Sequence, residues 1–545
     1  MAKAAKKKEE VVSLETVLWN CRVALRGVGS TEKNRDAVIG LCFLKFAGDK
    51  FEKRRDEIAE QNKDKDPVLV KILQEKVSSY NAKNVFYLNE TSRWSYIVKN
   101  AGANDIAVIL DQAMADIEAS NPPLKGALQQ NLYATLGASK DKLKTLIDEV
   151  NKIDEKRFHE EDLIGRVYEY FLQIYAASGT KEDGEFYTPA CVVQLIAEMI
   201  EPYSGVVYDP CCGSGGMFVQ SHKFVERHQG NRANISVVGQ ESVQDTWRLC
   251  KMNLAIRGIA HNLGEKNDST FTGDLHKGKK VDFIMANPPF NLKGWRKEDE
   301  LTDDYRWEGY TLPRASNANY AWILHMISKL DVNHGIAGFL LANGALNDPD
   351  EYENRKQLLL NDKVEAIIVL PRDMFYTTDI SVTLWIVNMN KKAGTVNGRQ
   401  LRDRTGEVLF MDLRRWDGNI EEIVIDKGKK KKKVVLSTTQ IEEVKRVYNG
   451  WQSADRSQYQ DVPEYCKSVK VRKADKVNDE DITIEDKDFS LAPSKYIEFI
   501  DHDLDIDYKA EMTRIQAEMK DVLIAEQRSQ KMLEEAFGGI GYGIK

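Results

Sequence analysis

Asn287-Pro288-Pro289-Phe290 closes an apolar run, Val281 to Ala286. Neither proline has an N–H to give to a sheet ladder, so a strand over the run must stop at the Asn. An amide and an aromatic ring are then held at the strand's end on a backbone that cannot swing. The Asn287 side-chain oxygen and the Pro288 carbonyl become fixed hydrogen-bond acceptors, and their value lies in being preorganised. Phe290 adds a flat apolar face.

Two further stretches carry chemistry. In "VVYDPCCGSGGM" a strand runs into Asp209 and a glycine-rich turn, Gly213-Ser214-Gly215-Gly216. Such a turn lets the backbone approach a ligand closely. It departs from the dinucleotide fingerprint, since Phe218 stands where the last glycine belongs. Glu241 ends "VVGQE" about 25 residues later, where a carboxylate can accept both hydrogens of a ribose diol or can be an ordinary strand-end acid. In "EFYTPACVVQLIAEMI", Thr188 is a natural N-cap and Pro189 a natural first helical residue. Val192, Leu195, Ile196 and Met199 form an inward face, and Phe186, Tyr187 and Thr188 could form a lip over a cofactor.

The elements that must position these residues fall into three zones. Residues 1–161 read as a helical domain, with Leu14, Val17, Leu18, Cys21 and Leu25 at helical spacing and a dense apolar run from Asp36 to Phe51. Residues 162–480 alternate strands ("GVVYDP", "ISVVGQE", "VDFIMANPP", "GIAGFLLAN", "VEAIIVLP") with helical stretches. That rhythm predicts an α/β doubly wound, mostly parallel sheet of the Rossmann-like kind. "SVTLWIVNM" and "EVLFMDL" follow each other with only a loop between, which predicts an antiparallel edge strand. Residues 481–545 hold a long helix from about Asp507 to Phe537, stopped by Gly538-Gly539. Its Tyr508, Met512, Ile515, Met519 and Val522 make a narrow stripe suited to one partner helix. The run Lys429–Lys433 reads as a solvated hairpin tip, or as a contact to DNA phosphates.

Composition narrows the class. The 545 residues, 42% hydrophobic, suffice for several cores. No run of 18 apolar residues appears, so no membrane span is expected, and the start "MAKAAKKKEE" is no signal peptide. Seven scattered cysteines without metal-ligand spacing suggest free thiols in a cytoplasmic protein and no metal. The net charge of −7 is unusual for a chain that grips nucleic acid unaided.

Together the motifs resemble the S-adenosyl-L-methionine-dependent amino-methyltransferases of DNA. Asn287-Pro288-Pro289-Phe290 matches the family's hallmark. "DPCCGSGG", with Asp209, Gly213, Ser214, Gly215 and Gly216, resembles its cofactor loop, and Glu185-Phe186-Tyr187-Thr188-Pro189-Ala190 its methionine-side motif. "TGDL" places Asp274 where the family contacts the cofactor's adenine. The order of these motifs is the γ order. "LETVLWNCRVALRG", "LPRDMFYTTDISVTLWIVN" and "LAPSKYIEF" are further similar to the modification (methyltransferase) subunit of type I restriction-modification systems. The resemblance implies adenine-N6 methylation of double-stranded DNA, with Asn287 and Pro288 as acceptors for the amine and Phe290 stacking a flipped base. Glu241 and the glycine turn would hold the cofactor. NPPF itself also admits cytosine N4. It implies a separate specificity subunit flanked by two modification subunits, and a restriction (translocase) subunit. The absence of a Walker motif and the small room for a base-reading domain fit that division. Two alternatives stand beside it: a self-sufficient γ-order methyltransferase, and an idle scaffold that binds cofactor. Pro210-Cys211 looks like a cytosine-C5 nucleophile but lies in the glycine loop, where a structural thiol is expected.

Overall fold

The computed structural model describes residues 13–158, 163–178, 187–375, 380–416, 418–426, 429–500 and 508–539. Residues 1–497 form one compact unit and 498–545 a second.

The first unit begins with helices whose starts are capped as the sequence chemistry demands. Ser13 and Ser30 accept backbone N–H groups at the heads of Leu14–Ala24 and Thr31–Gln61. From Asp36 to Gly48 every residue of the second helix is buried, so it is the axle of this zone. The zone's core extends to the helix Leu163–Ser178 through Val167, Phe171 and Ile174.

The sheet strands are β1 (Gly205–Asp209), β2 (Ile235–Gly239), β3 (His261–Asn262), β4 (Phe283–Ala286), β5 (Ile336–Ala342), β6 (Val364–Val369) and β7 (Val382–Asn388). A small hairpin, β8 (Gly394–Val396) and β9 (Arg399–Leu401), precedes β10 (Glu407–Asp412); a second, β11 (Asn419–Asp426) and β12 (Lys429–Val435), precedes β13 (Cys466–Lys470). Nine strands lie in the order β13-β10-β6-β7-β5-β4-β1-β2-β3. All pairings are parallel except those of β7 and β13. The antiparallel edge strand is β13, while β7 is antiparallel but internal, between β5 and β6. From β1 the chain winds outward to β2 and β3, then returns to β4 on the other side of β1. That reversal opens a crevice at the carboxyl ends of β1 and β4, where open α/β sheets bind ligands.

One strand is added and one expectation corrected. Cys466–Lys470 extends the sheet beyond Glu407–Asp412, and "SLAPSKYI" packs back on it, with Tyr496 stacked 4.6 Å from Phe410. Charged residues in "CKSVK" hid this strand; they suit an edge that must not recruit another sheet. The lysine run is not a hairpin tip but β12 itself. Lys430 and Lys432 pair with Glu422, and Lys433 with Glu421, across the ladder to β11.

The second unit is the helix Tyr508–Gly539, which has no buried residue. Its stripe Tyr508, Met512, Ile515, Met519 and Val522 stands exposed. Among the described residues no helix is long and apolar enough to cross a membrane.

Candidate active site

β4 stops at Ala286, as the two prolines require, and Asn287 opens the turn. The Asn287 amide Nδ2 donates to Thr188 Oγ1 at 3.0 Å. Its oxygen, Oδ1, is buried and has no hydrogen-bond partner among the described residues. Pro288 is buried; Pro289 and Phe290 are half-buried, and Phe290 packs on the sheet's hydrophobic core. Thr188 is not the helix cap. The helix is Ala190–Ile200, and the carbonyl of Pro189, at ψ 135°, takes the N–H groups of Val192 and Val193. That leaves the Thr188 hydroxyl to orient Asn287. The inward face Val192, Leu195, Ile196 and Met199 is buried.

At the end of β1, Asp209 Oδ1 accepts the Cys211 N–H at 3.0 Å and its thiol at 3.6 Å. Just past β2, Glu241 Oε2 accepts the Gly213 N–H at 3.0 Å, while Oε1 accepts that of Val243 at 2.9 Å and the Ser242 hydroxyl at 3.4 Å. Gly215 sits at φ +84°, and a Cβ there would lie 2.9 Å from the Cys250 sulfur. Burial pushes the Asp209 carboxyl up to about 7, and the neighbouring Glu241 charge adds to this. Burial also raises Glu241, against the pull of its backbone N–H bonds. Burial and the adjacent Asp209 raise the Cys211 thiol well above its ordinary value, which makes it a poor nucleophile.

A cavity of about 290 Å³ joins the corner to the turn. Of the residues singled out in the sequence, Tyr187, Thr188, Ala190, Asp209, Gly213, Ser214, Gly216, Glu241, Asn287 and Pro289 line it. Pro189, Gly215, Pro288 and Phe290 belong to the same turns without lining it. Asp274 also lies off the wall: its carboxylate receives the Lys329 ammonium at 2.6 Å and the Tyr305 hydroxyl at 3.4 Å on one oxygen, and the His276 N–H at 3.0 Å on the other. Glu185 and Phe186 fall outside the described residues.

Sequence reasoning missed several walls. Tyr168, Glu169 and Leu172 come from the helix Leu163–Ser178, so the helix that follows the helical zone and shares its core reaches the cavity. Asn253 and Arg257 come from the end of the helix Gln244–Ile256. Phe271, Trp295 and Trp322 form an aromatic wall, with ring centres 4.6 and 4.3 Å from Phe271. Buried Arg306 fastens that wall by donating to the carbonyls of Thr270 at 3.2 Å and Phe271 at 2.8 Å. The one available signal was the clustering of Trp295, Trp307 and Trp322 after the diproline. Lys433, itself buried, lies 5.7 Å from the Tyr187 ring.

A wound sheet with a glycine turn after β1, an acid after β2 and a diproline corner after β4 fits the class of methyltransferases. Comparison with known proteins narrows it. Residues 159–503 match the model of the N-6 DNA methylase family, and residues 14–150 that of the HsdM N-terminal domain. The HindI type I restriction enzyme methylase subunit of Haemophilus influenzae is 36% identical over 476 residues, which are 83% of this chain and 99% of that one. The MjaIX methylase subunit of Methanocaldococcus jannaschii is 29% identical over 97% of this chain and 91% of its own. In fold, the type I methyltransferase subunit of Streptococcus thermophilus superposes with a TM-score of 0.68 at 20% identity, covering 90% of this chain and all of that one. The chain belongs to the N-6 DNA methylases, in the branch formed by the methylase subunits of type I restriction-modification systems.

Proposed function

We propose that this chain transfers a methyl group from S-adenosylmethionine to N6 of an adenine extruded from double-stranded DNA, inside a complex whose specificity subunit reads the sequence. The observation that carries the reading is Asn287: a buried acceptor without a partner among the described residues, oriented by Thr188, on the wall of the cavity that Glu241 and the glycine turn also line. A buried acceptor without a partner is unfavourable by about 1–3 kcal/mol, so the site favours a ligand that donates to it.

The residues present fit the cofactor. The cavity volume is at the lower end of that of small-molecule sites. Glu241 has used three of its roughly four acceptor positions and keeps one on Oε2 for a sugar hydroxyl. When bound, the cofactor supplies an electrophilic methyl on a sulfonium, and no metal is needed. The protein's part is electrostatic. The amine of adenine is a weak nucleophile because its lone pair is conjugated into the ring. Accepting its hydrogens at Asn287 Oδ1 and the Pro288 carbonyl favours a tetrahedral, nucleophilic nitrogen, and fixed acceptors do so without reorganisation. Phe290 is our candidate for stacking the extruded base, worth about 1–3 kcal/mol against a few of unstacking. Sequence choice lies with the partner, in keeping with the acidic charge of −7. The exposed stripe of Tyr508–Gly539 is the surface we assign to docking on it.

The test is labelled methyl transfer to DNA by the chain co-purified with its native partners, followed by nuclease digestion. We expect N6-methyl-2′-deoxyadenosine, and a fall of roughly 100- to 1,000-fold in Asn287→Ala with little change in cofactor affinity. N4-methylcytosine would overturn the base assignment; an undiminished Asn287→Ala would overturn the mechanism; robust site-specific methylation by the lone chain would overturn the division of labour.

A further inference from the structure

The carboxyl edge of the sheet has two sides about the diproline corner. Glu241 and the glycine turn stand past β2 and β1, on one side of β4, and β5 flanks β4 on the other. The first side is the cofactor's in the reading above, so the second is the one open to an extruded base. Ala286 of β4 pairs with Phe339 of β5. Phe290 and Asn343 lie beyond that pair on the two adjacent chains. β5 stops at Ala342, and Asn343, half-buried, opens a short turn, Asn343–Leu346. Thr383, fully buried on β7, donates its hydroxyl to Asn343 Oδ1 at 2.5 Å. That bond orients the amide. Its nitrogen, Nδ2, keeps both hydrogens without a partner among the described residues.

Asn287 is its mirror image. There a threonine hydroxyl takes up the amide nitrogen and leaves an acceptor; here a threonine hydroxyl takes up the oxygen and leaves a donor. Adjacent strand ends therefore offer one fixed acceptor and one fixed donor. The Watson–Crick edge of adenine carries a donor, the N6 amine, beside an acceptor, N1, and flipped bases are read by hydrogen bonds to that edge. Resting on the adenine reading above, we propose that Asn343 is a specificity-determining residue: its Nδ2 donates to N1 of the extruded adenine while Asn287 Oδ1 accepts from N6. Guanine or thymine would set a carbonyl against the Asn287 oxygen and a ring N–H against the Asn343 amide, which leaves both pairs unmet. Cytosine shares adenine's pattern, so the two asparagines sort amino bases from keto bases.

Single-atom changes in the DNA test this with the chain co-purified with its native partners. Once the methylated adenine is located, duplexes carry adenine, 1-deazaadenine or 7-deazaadenine at that position; the second lacks N1 and the third lacks N7. Asn343→Asp can still accept the Thr383 hydroxyl but offers no donor, and Asn343→Ala removes the amide outright. Each should lower kcat/KM roughly tenfold or more on adenine and on 7-deazaadenine. Each should stay within about twofold of the parent on 1-deazaadenine, where the bond is already missing. Affinity for S-adenosylhomocysteine should be unchanged in both variants. An equal loss on all three duplexes, or no loss on adenine, overturns the assignment, because a residue that only shapes the strand end cannot sense one ring nitrogen. A loss that vanishes on 7-deazaadenine instead overturns it in favour of N7. If the unaltered complex leaves adenine unmethylated, it is the adenine reading that fails.

Discussion

Two polar side chains at neighbouring strand ends are treated in opposite ways. Glu241, past β2, is nearly saturated: Gly213, Val243 and Ser242 all donate to it. Asn287, past β4, has its amide nitrogen bonded and its oxygen left without a partner among the described residues. The first arrangement builds the glycine turn before any ligand arrives. The second holds an acceptor that only an incoming donor can satisfy. The glycine turn is thus folded into shape by an acid of its own, while the diproline corner stores an unmet hydrogen bond at the point where the proposed chemistry needs an acceptor. Such local disagreement with the rule that buried polar groups are paired is what a functional site shows.

The contrast can be broken most strongly at Asp209. Its folded-state value of about 7 lies above the ordinary 3.8, so the native state holds the proton more tightly than the unfolded chain does. The stability tied to this group is therefore greatest below pH 4 and is lost as pH rises toward 7. Asp209→Asn removes the buried charge and can still accept the Cys211 N–H. The cofactor-free variant should be more stable than the parent by roughly 4 kcal/mol at pH 8 and by roughly 1.5 kcal/mol at pH 5, read by denaturant unfolding at both values. A gain that does not shrink at low pH would show that the charge is not the cause. Glu241→Gln comes next. It keeps the shape but gives up one acceptor and the negative charge, so affinity for S-adenosylhomocysteine should fall roughly 30-fold. Unchanged affinity would mean that the acid serves the turn alone.

Much of this was legible in the residues, for identifiable reasons. The runs "GVVYDP", "ISVVGQE" and "VDFIMANPP" are continuous apolar stretches closed by Gly, Glu or Pro, and they became β1, β2 and β4. Their functional residues follow because parallel strands deliver their carboxyl ends to one edge. What escaped was set by tertiary contact. Nothing in the spacing of Tyr168, Glu169 and Leu172 separates a helix that packs inward from one that also walls a cavity. Lys433 reads as solvent-facing in a lysine run, yet the cross-strand position of Glu421 and the nearby Tyr187 ring bury it. Thr188 has the right chemistry for a cap, and Asn287, 99 residues away, takes its hydroxyl instead.

That last contact gives the finest test of the comparison. Thr188→Val keeps the shape and removes the only partner of the Asn287 amide nitrogen among the described residues. The amide then has no fixed orientation, and its nitrogen can turn toward the position the oxygen should hold. A donor facing the adenine amine would oppose the charge that develops there, so turnover should fall about tenfold. Cofactor affinity should stay within a fewfold, because Glu241 and the glycine turn are untouched. Thr188→Ser, which restores the hydroxyl, should recover most of the rate. If turnover and cofactor affinity fall together, Thr188 serves the cofactor directly; if the serine variant is as slow as the valine one, the methyl group and not the hydroxyl matters. Either result would detach the Asn287 oxygen from the residue that the structure sets behind it.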